Sequence, residues 1–432
     1  MDIQTFIQRR ARLADKLHEG VAILATSPEV IRNRDSQYPY RFDSYFHYLT
    51  AFPEPEAVCV LIAGQIPRAI LFCRDKDEER EIWDGYRYGP QAAKEEFAFD
   101  ETYSITQLDE KLPELLANQP RLGYALGLEA AWDTRVMGWL NTVRSKGRTG
   151  ITAPEEIIDI RRWLDEMRLI KDAAELDIMR RAGAISSEAH RRAMARTWPG
   201  KFEYEVEAEL LHEFVRHGAR HPAYSSIVAG GANACVLHYV ENASQLRDGD
   251  LLLIDAGCEL GGYASDITRT FPVNGKFSGV QRAVYEIVLH AQHAAIDAVR
   301  PGAHWNEPHD VAVRILTQGM VDLQLLTGEL DGLIEQEAYK RFYMHRTGHW
   351  LGRDVHDAGE YKQNGEWRAL QPGMVLTVEP GFYIRPFDDV PQEFHHIGIR
   401  IEDDVAVTES GHEVLTSAPR NVAEIEEVMS HG

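Results

Sequence analysis

The sequence predicts an α+β protein of two domains, and three observations carry that reading. The first ~165 residues alternate short strand-like apolar runs with helix-like segments. Residues 154–198 then form a heavily charged stretch of helical period. Beyond it, long helices are interleaved with pairs of strand-like runs, the pattern of helices packed on one side of a curved antiparallel sheet. At 432 residues the chain exceeds one ordinary core. The boundary is placed between 168 and 169, giving a smaller mixed α/β domain over 1–168 and a larger α+β domain over 169–432.

The elements follow in order. "MDIQTFIQRRARLADKL" is an amphipathic charged helix without the apolar centre of a signal peptide. "GVAILAT" reads as a strand. "AVCVLIAG" and "RAILFCR" read as two strands joined by a turn at Gly64-Gln65-Ile66-Pro67. "QLDEKLPELLANQ" is an amphipathic helix and "RLGYALGL" another strand. The aromatic stretch "RDSQYPYRFDSYFHYLTAF" fits a packed surface, with a subunit contact as the alternative. From Pro154 onward Leu164, Met167, Leu169, Ile170, Leu176 and Met179 recur at helical spacing among alternating charges, which describes a solvated amphipathic face. Ser278 to Val299 is a long helix.

Bulk properties narrow the function. A net charge of −22 argues against a nucleic-acid backbone or an anionic membrane as partner. It suits solubility, or a site crowded with carboxylates. Apolar and charged fractions of 44% and 26% are those of a globular protein. Cys59, Cys73, Cys235 and Cys258 are scattered with no CxxC spacing, so they read as reduced thiols of a cytoplasmic protein. No apolar run reaches the length of a membrane span.

The chemistry begins at "LLLIDAGCELGGYASDITRTF", residues 251–271. Asp255 follows four aliphatic residues, and Asp266 comes after a Gly-Gly pair. With a hairpin loop at Leu260-Gly261 the two aspartates face each other directly, Cβ atoms roughly 4.5–5.5 Å apart. A loop at Gly261-Gly262 leaves them diagonal on one face, and a three-residue loop puts them on opposite faces. Facing anions are destabilising unless a cation lies between them. The alternative is that one caps a turn and the other pairs with Arg269.

Further donors come from three more stretches. "MHRTGHWLGRDVHD" holds His345, His349 and His356 within twelve residues. The H-x3-H spacing lacks the glutamate of a zincin motif, since Arg346 follows the first histidine, and Gly348 and Gly352 argue against a continuous helix. In "GMVLTVEPGFYI", Glu379 ends an apolar strand where an aliphatic residue is expected. In "HIGIRIEDDVAV", Ile397, Ile399 and Ile401 share one face and send Arg400 and Glu402 to the other. Arg400 could simply pair with Glu402. Together Asp255, Asp266, His349, Glu379 and Glu402 make a set for two divalent cations. Hard oxygen donors with one imidazole favour Mn²⁺ over a structural zinc.

In this order, "IDAGCELGGYASDITRTFPV", "HRTGHWLGRDVHD", "LTVEPGFYI" and "GIRIEDDV" resemble the proline-peptidase branch of the pita-bread metallopeptidases. The "HWLG" variant and the earlier "EREIWDGYRYG" resemble its bacterial aminopeptidase P group. The likeness spans nearly the whole chain and implies a creatinase/prolidase-like N-terminal domain before a pita-bread catalytic domain. It implies release of the N-terminal residue from peptides with proline second, through a hydroxide bridging two metal ions, Mn²⁺ first and Co²⁺ or Zn²⁺ as substitutes. It further implies Glu379, His345 and His356 as catalytic, with His238, Tyr383, Arg400 and Trp83 contacting substrate. Trp83 would reach a neighbouring subunit's site, so a homo-oligomer, dimer or tetramer, is expected. Arg346 and Gly348 depart from the pattern of close relatives and bear on subsite preference. A prolidase acting on Xaa-Pro dipeptides stays open, with Arg400 as counter-charge to the free carboxylate. A metal-free creatinase-like hydrolase and a non-catalytic peptide-binding module are disfavoured, because neither needs all five ligands.

Overall fold

The computed structural model describes residues 1–431. It divides into two compact units, Met1–Met167 and Arg168 onward.

The first unit is built on one six-stranded sheet, in the spatial order Glu101–Ser104, Arg68–Cys73, Val58–Ala63, Gly20–Ala25, Arg121–Gly123, Glu156–Ile158. The middle pairings are antiparallel and the outer ones parallel. The central runs are apolar throughout because both faces are covered, as for any sheet sandwiched between helices. Cys59 and Leu61 face the core that includes Leu13 and Leu17 of helix Ile3–Leu17. Val58 and Val60 face a separate core with Leu112 and Leu140 of helices Leu108–Leu116 and Ala130–Ser145. The strand expected across "RLGYALGL" is confined to Arg121–Gly123.

Among the second unit's small antiparallel groups of strands, three position the site. One has Leu251–Asp255 between Ile227–Gly230 and Thr268–Pro272. A second has Asp403–Val407 between Val375–Val378 and His412–Val414. The third pairs Gly381–Ile384 with Ile397–Arg400. The charged stretch after Pro154 resolves into strand Glu156–Ile158 and helices Arg161–Leu169 and Ala173–Ala195. The last starts at a capping box in which Asp172 and Glu175 satisfy each other's backbone N–H. The helix read at Ser278–Val299 spans Gly279–Ala298, capped by Ser278 and Gln281. Val284, Val288, Ala291 and Ala295 lie on its buried face at alternating steps of four and three, the spacing of one helical stripe.

The hairpin loop after Asp255 is Gly261-Gly262, because Leu260 pairs with Tyr263 and Glu259 with Ala264. Both glycines have positive φ, +58° and +79°, as a two-residue turn between twisted strands requires. Asp255 therefore lies opposite Thr268 and diagonal to Asp266, and the directly facing register does not form. The run from Tyr263 to Phe271 is also two strands, Tyr263–Ala264 and Thr268–Pro272, with Asp266 in the gap between them. Arg269 pairs with neither aspartate. Fully buried, it donates to Asp403 and to the carbonyls of Glu402 and Ala418.

Candidate metal centre and substrate cavity

Strand geometry brings the predicted carboxylates together from four separate stretches. Asp255 ends one strand and Asp266 sits in the break before the next. Glu379 lies between Val375–Val378 and Gly381–Ile384, and Glu402 between Ile397–Arg400 and Asp403–Val407. Each strand's apolar residues enter the core, so the residue at its interruption is turned to the cavity. His349 comes from a loop whose backbone is fixed by the N–H of Thr377 donating to the His349 carbonyl at 2.9 Å.

Donor atoms of Asp266, His349 and Glu402 lie within 4.8 Å of one another. Asp255 joins through Tyr224, whose hydroxyl is 2.6 Å from Asp255 Oδ1 and 2.5 Å from Asp266 Oδ1. Glu379 joins through His349, with Oε1 3.8 Å from Nε2.

Two features of this set fit a divalent cation. The Nδ1–H of His349 donates to the Trp350 carbonyl at 2.9 Å, which leaves Nε2 as the bare ring nitrogen. That nitrogen faces Asp266 Oδ2 at 3.4 Å and Glu379 Oε1. A lone pair aimed at carboxylate oxygens needs a proton or a cation between them. Burial pushes His349 down, but its bond to Asp266 and the charge of Glu379 win, lifting it to about 9. The second feature is charge. Burial raises Glu379 to about 7 against the opposing pull of His349 and Arg400, and burial reinforced by neighbouring carboxylates raises Glu402 well above the usual range. Burial raises Asp255 as well, against the opposing pull of Arg400. Burial pushes Asp266 up too, but its bond to His349, the charge of His349, the Tyr224 hydroxyl and Arg400 together bring it down. The protein supplies too little positive charge for four carboxylates, and hard divalent ions fit the deficit.

The remaining predicted residues surround the centre. Arg400 is buried and does not pair with Glu402. Its guanidinium donates to Asp255 Oδ2 at 2.6 Å, to the Tyr383 hydroxyl at 3.0 Å and to Thr268 Oγ1 at 3.1 Å. Tyr383 is 2.8 Å from His345 Nε2, while His345 Nδ1 is 2.7 Å from the Arg346 carbonyl. The carbonyl requires the proton on Nδ1, so Nε2 accepts from the tyrosine. Burial holds His345 neutral, down at about 3. Its Nδ1 is 3.7 Å from Glu379 Oε2. His356 packs edge-on against His349, ring centroids 4.4 Å apart. A cavity of about 910 Å³ is lined by the centre together with His238, His345, His356 and Arg400. Tyr383 lies fully buried behind His345. Trp83 is elsewhere, on helix Glu78–Asp84 of the first unit, with 83% of its surface exposed.

Three residues of the site were missed in the sequence. Tyr224 precedes the strands in "HPAYSSI", where no pattern marks it. Thr268 donates to Glu402 Oε2 at 2.6 Å. Two residues from Asp266, it shares that residue's face of the chain, and strand parity could have found it. Asp404 accepts from Ser265 Oγ at 2.9 Å and from the Asp266 N–H at 3.1 Å, fixing the bend that presents Asp266. At that bend a Cβ on Gly257 would lie 1.7 Å from the Ser265 carbonyl oxygen, so only glycine fits.

Comparison with known proteins agrees with this construction. Residues 177–409 match metallopeptidase family M24, and residues 6–123 match the aminopeptidase P N-terminal domain. The chain belongs to metallopeptidase family M24, and its second unit has that family's pita-bread fold. It is 48% identical to the Xaa-Pro aminopeptidase of Haemophilus influenzae over 99% of this chain and 97% of that one. It superposes on the structure of Pseudomonas aeruginosa aminopeptidase PepP with a TM-score of 0.98 at 52% identity, covering 100% and 98% of the two chains. The Xaa-Pro dipeptidase of Mus musculus is more distant, 33% identical over 98% of this chain and 93% of that one.

Proposed function

We propose that this metallopeptidase is an Xaa-Pro aminopeptidase, releasing the N-terminal residue from peptides whose second residue is proline. The observation that carries the reading is the cluster of Asp266, His349 and Glu402, with Asp255 and Glu379 beside it, set in the wall of a cavity of about 910 Å³. Near-full-length similarity to Xaa-Pro aminopeptidases supports it. An Xaa-Pro bond lacks an N–H and restricts the preceding residue, so general peptidases seat it poorly.

In this reading Asp255, Asp266, His349, Glu379 and Glu402 hold two divalent ions, Mn²⁺ by preference and Co²⁺ or Zn²⁺ as substitutes. Such ions, when bound, lower the pKa of a water and polarise the scissile carbonyl. Glu379 takes the proton from the attacking water and passes it to the proline nitrogen as the C–N bond breaks. His345 stands beside the substrate carbonyl or the oxyanion and stabilises it once its Nδ1–H turns from the Arg346 carbonyl. His356 and His238 line the proline pocket, Arg400 shapes its floor, and Tyr383 holds His345 and Arg400 from behind. Arg400 is already committed to Asp255 and Tyr383, which weakens its case as the carboxylate-binding residue of a prolidase.

The deciding experiment compares an Xaa-Pro-Xaa tripeptide, an Xaa-Pro dipeptide and an Xaa-Ala-Xaa tripeptide, with Mn²⁺ and after chelation. The Xaa-Pro-Xaa peptide should be cleaved at least as well as the dipeptide, and alanine in place of proline should remove most of kcat/KM. Chelation should abolish activity and Mn²⁺ restore it. Hydrolysis of dipeptides alone, stopped by amidating their carboxylate, would make it a prolidase. Full activity with metal absent by elemental analysis would refute the metal assignment.

The same reading makes the protein a cytoplasmic homo-oligomer, dimer or tetramer. Ile82, Trp83 and Tyr86 are 80%, 83% and 60% exposed around a helix that buries none of its side chains, a surface suited to cover by another subunit. Trp83→Ala should weaken substrate binding more than folding. A fully active monomer by light scattering would overturn this.

A further inference from the structure

We infer that Glu203 is the positioning residue for His238 in the substrate cavity. Glu203 opens helix Glu203–Arg216 and is completely buried. Its carboxylate makes no contact with the metal cluster. Instead it collects donors from the connection between strands Ile227–Gly230 and Leu251–Asp255. Oε1 accepts from the Gly230 N–H at 2.8 Å and from Asn233 Nδ2 at 2.9 Å. Oε2 accepts from the Tyr239 hydroxyl and the Ser244 N–H, both at 2.8 Å. The Glu203 N–H also donates to the Ser244 carbonyl at 3.0 Å. One buried anion thus ties the start, the middle and the end of the connection. Hydrogen bonds to an ionised acceptor are about twice as strong as neutral ones, so a carboxylate holding four donors is a rigid anchor.

The connection needs such an anchor. After a short helical turn over Gly231–Cys235 it has no regular structure up to Leu251. It nevertheless carries Leu237, His238 and Val240 into the wall of the cavity. His238 is exposed, and among the described residues its ring forms no hydrogen bond to the protein. Its position is therefore set by its backbone, and Glu203 grips the residue next to it, Tyr239. Asn242 adds a second tie, accepting from the Val228 N–H and donating to the Ser226 carbonyl, each at 2.9 Å. That tie lies four residues beyond His238 and cannot set its place alone.

The inference rests on the assignment of His238 to the substrate pocket, and the test separates the two. It is a double-mutant cycle on kcat/KM for an Xaa-Pro-Xaa peptide, using Glu203→Gln, His238→Ala and the pair. Glutamine keeps the volume but puts an NH₂ where one oxygen accepted two donors. Glu203→Gln should lower kcat/KM roughly tenfold with bound metal unchanged, and should cost nothing further in the His238→Ala background. Additive losses, or a Glu203→Gln enzyme as active as wild type, would overturn the role of Glu203 and leave His238 standing. If His238→Ala has wild-type kcat/KM, the assignment of His238 falls and this inference with it. Should Glu203→Gln fail to fold, Tyr239→Phe removes one of the four donors and must show the same non-additivity.

Discussion

Removing one oxygen from Tyr224 tests the electrostatic construction of the centre. Its hydroxyl lies within hydrogen-bond distance of both Asp255 and Asp266, yet a phenol has one proton to give. Burial, then the two aspartates, hold Tyr224 well above its usual range, so it remains a donor. When both aspartates are ionised on bound cations, Tyr224 donates to one of them and orients the pair. A hydrogen bond to a charged acceptor contributes about 1.5–3 kcal/mol. Tyr224→Phe keeps the ring and loses only that bond, so metal affinity should fall about 10- to 100-fold, as for other partners of metal ligands. Titrating Mn²⁺ into chelated protein by calorimetry measures this directly. Activity at saturating Mn²⁺ should recover far more than activity at limiting Mn²⁺. An affinity within about threefold of wild type would refute the view that Tyr224 orients the ligand pair.

Ligands and helpers should separate on substitution. Asp266→Asn should lower metal content, whereas His345→Ala should retain metal and lose kcat. Metal loss in the His345 variant would show that the wrong histidine was given to the cluster. His190, wholly buried with Nε2 2.9 Å from the Ala256 carbonyl, is pushed by burial from 6.5 down to about 4. A lowered folded-state value means stability that is complete above pH ~6.5 and lost as pH falls through ~4, worth roughly 3 kcal/mol. Urea midpoints at pH 7 and pH 4 should therefore differ less in His190→Gln than in wild type. Equal differences would contradict this.

How far the sequence could be read depended on the kind of force involved. Asp255, Asp266, Glu379 and Glu402 stood out because each interrupts an apolar strand, and strand periodicity is a local property. The turn at Gly261-Gly262 was one of the registers compatible with the sequence, but local pattern could not choose it over Leu260-Gly261. Arg400 was harder. Its neighbour Glu402 was the obvious partner, yet the fold sends its guanidinium to Asp255. Arg269 likewise finds Asp403, not an aspartate of its own hairpin. Such pairings are set by which strands meet in space, as are the contributions of Tyr224 and Glu203, and no spacing rule carries that information.

The donors of the centre lie between positions 255 and 402, most of the length of the second unit. A fragment that lacks either end of this span contains no complete set of donors, so cation affinity exists only once distant strands have docked. Contacts so remote in sequence form late and slowly. Any ion held by the native state and not by the open chain adds to the free energy of unfolding, about 2.7 kcal/mol at a hundredfold excess over Kd. Scarcity of the cation would then be felt twice, as idle enzyme and as chain lost to proteolysis, because a smaller unfolding free energy exposes more of the open state. The abundance of this protein should track the supply of its ion.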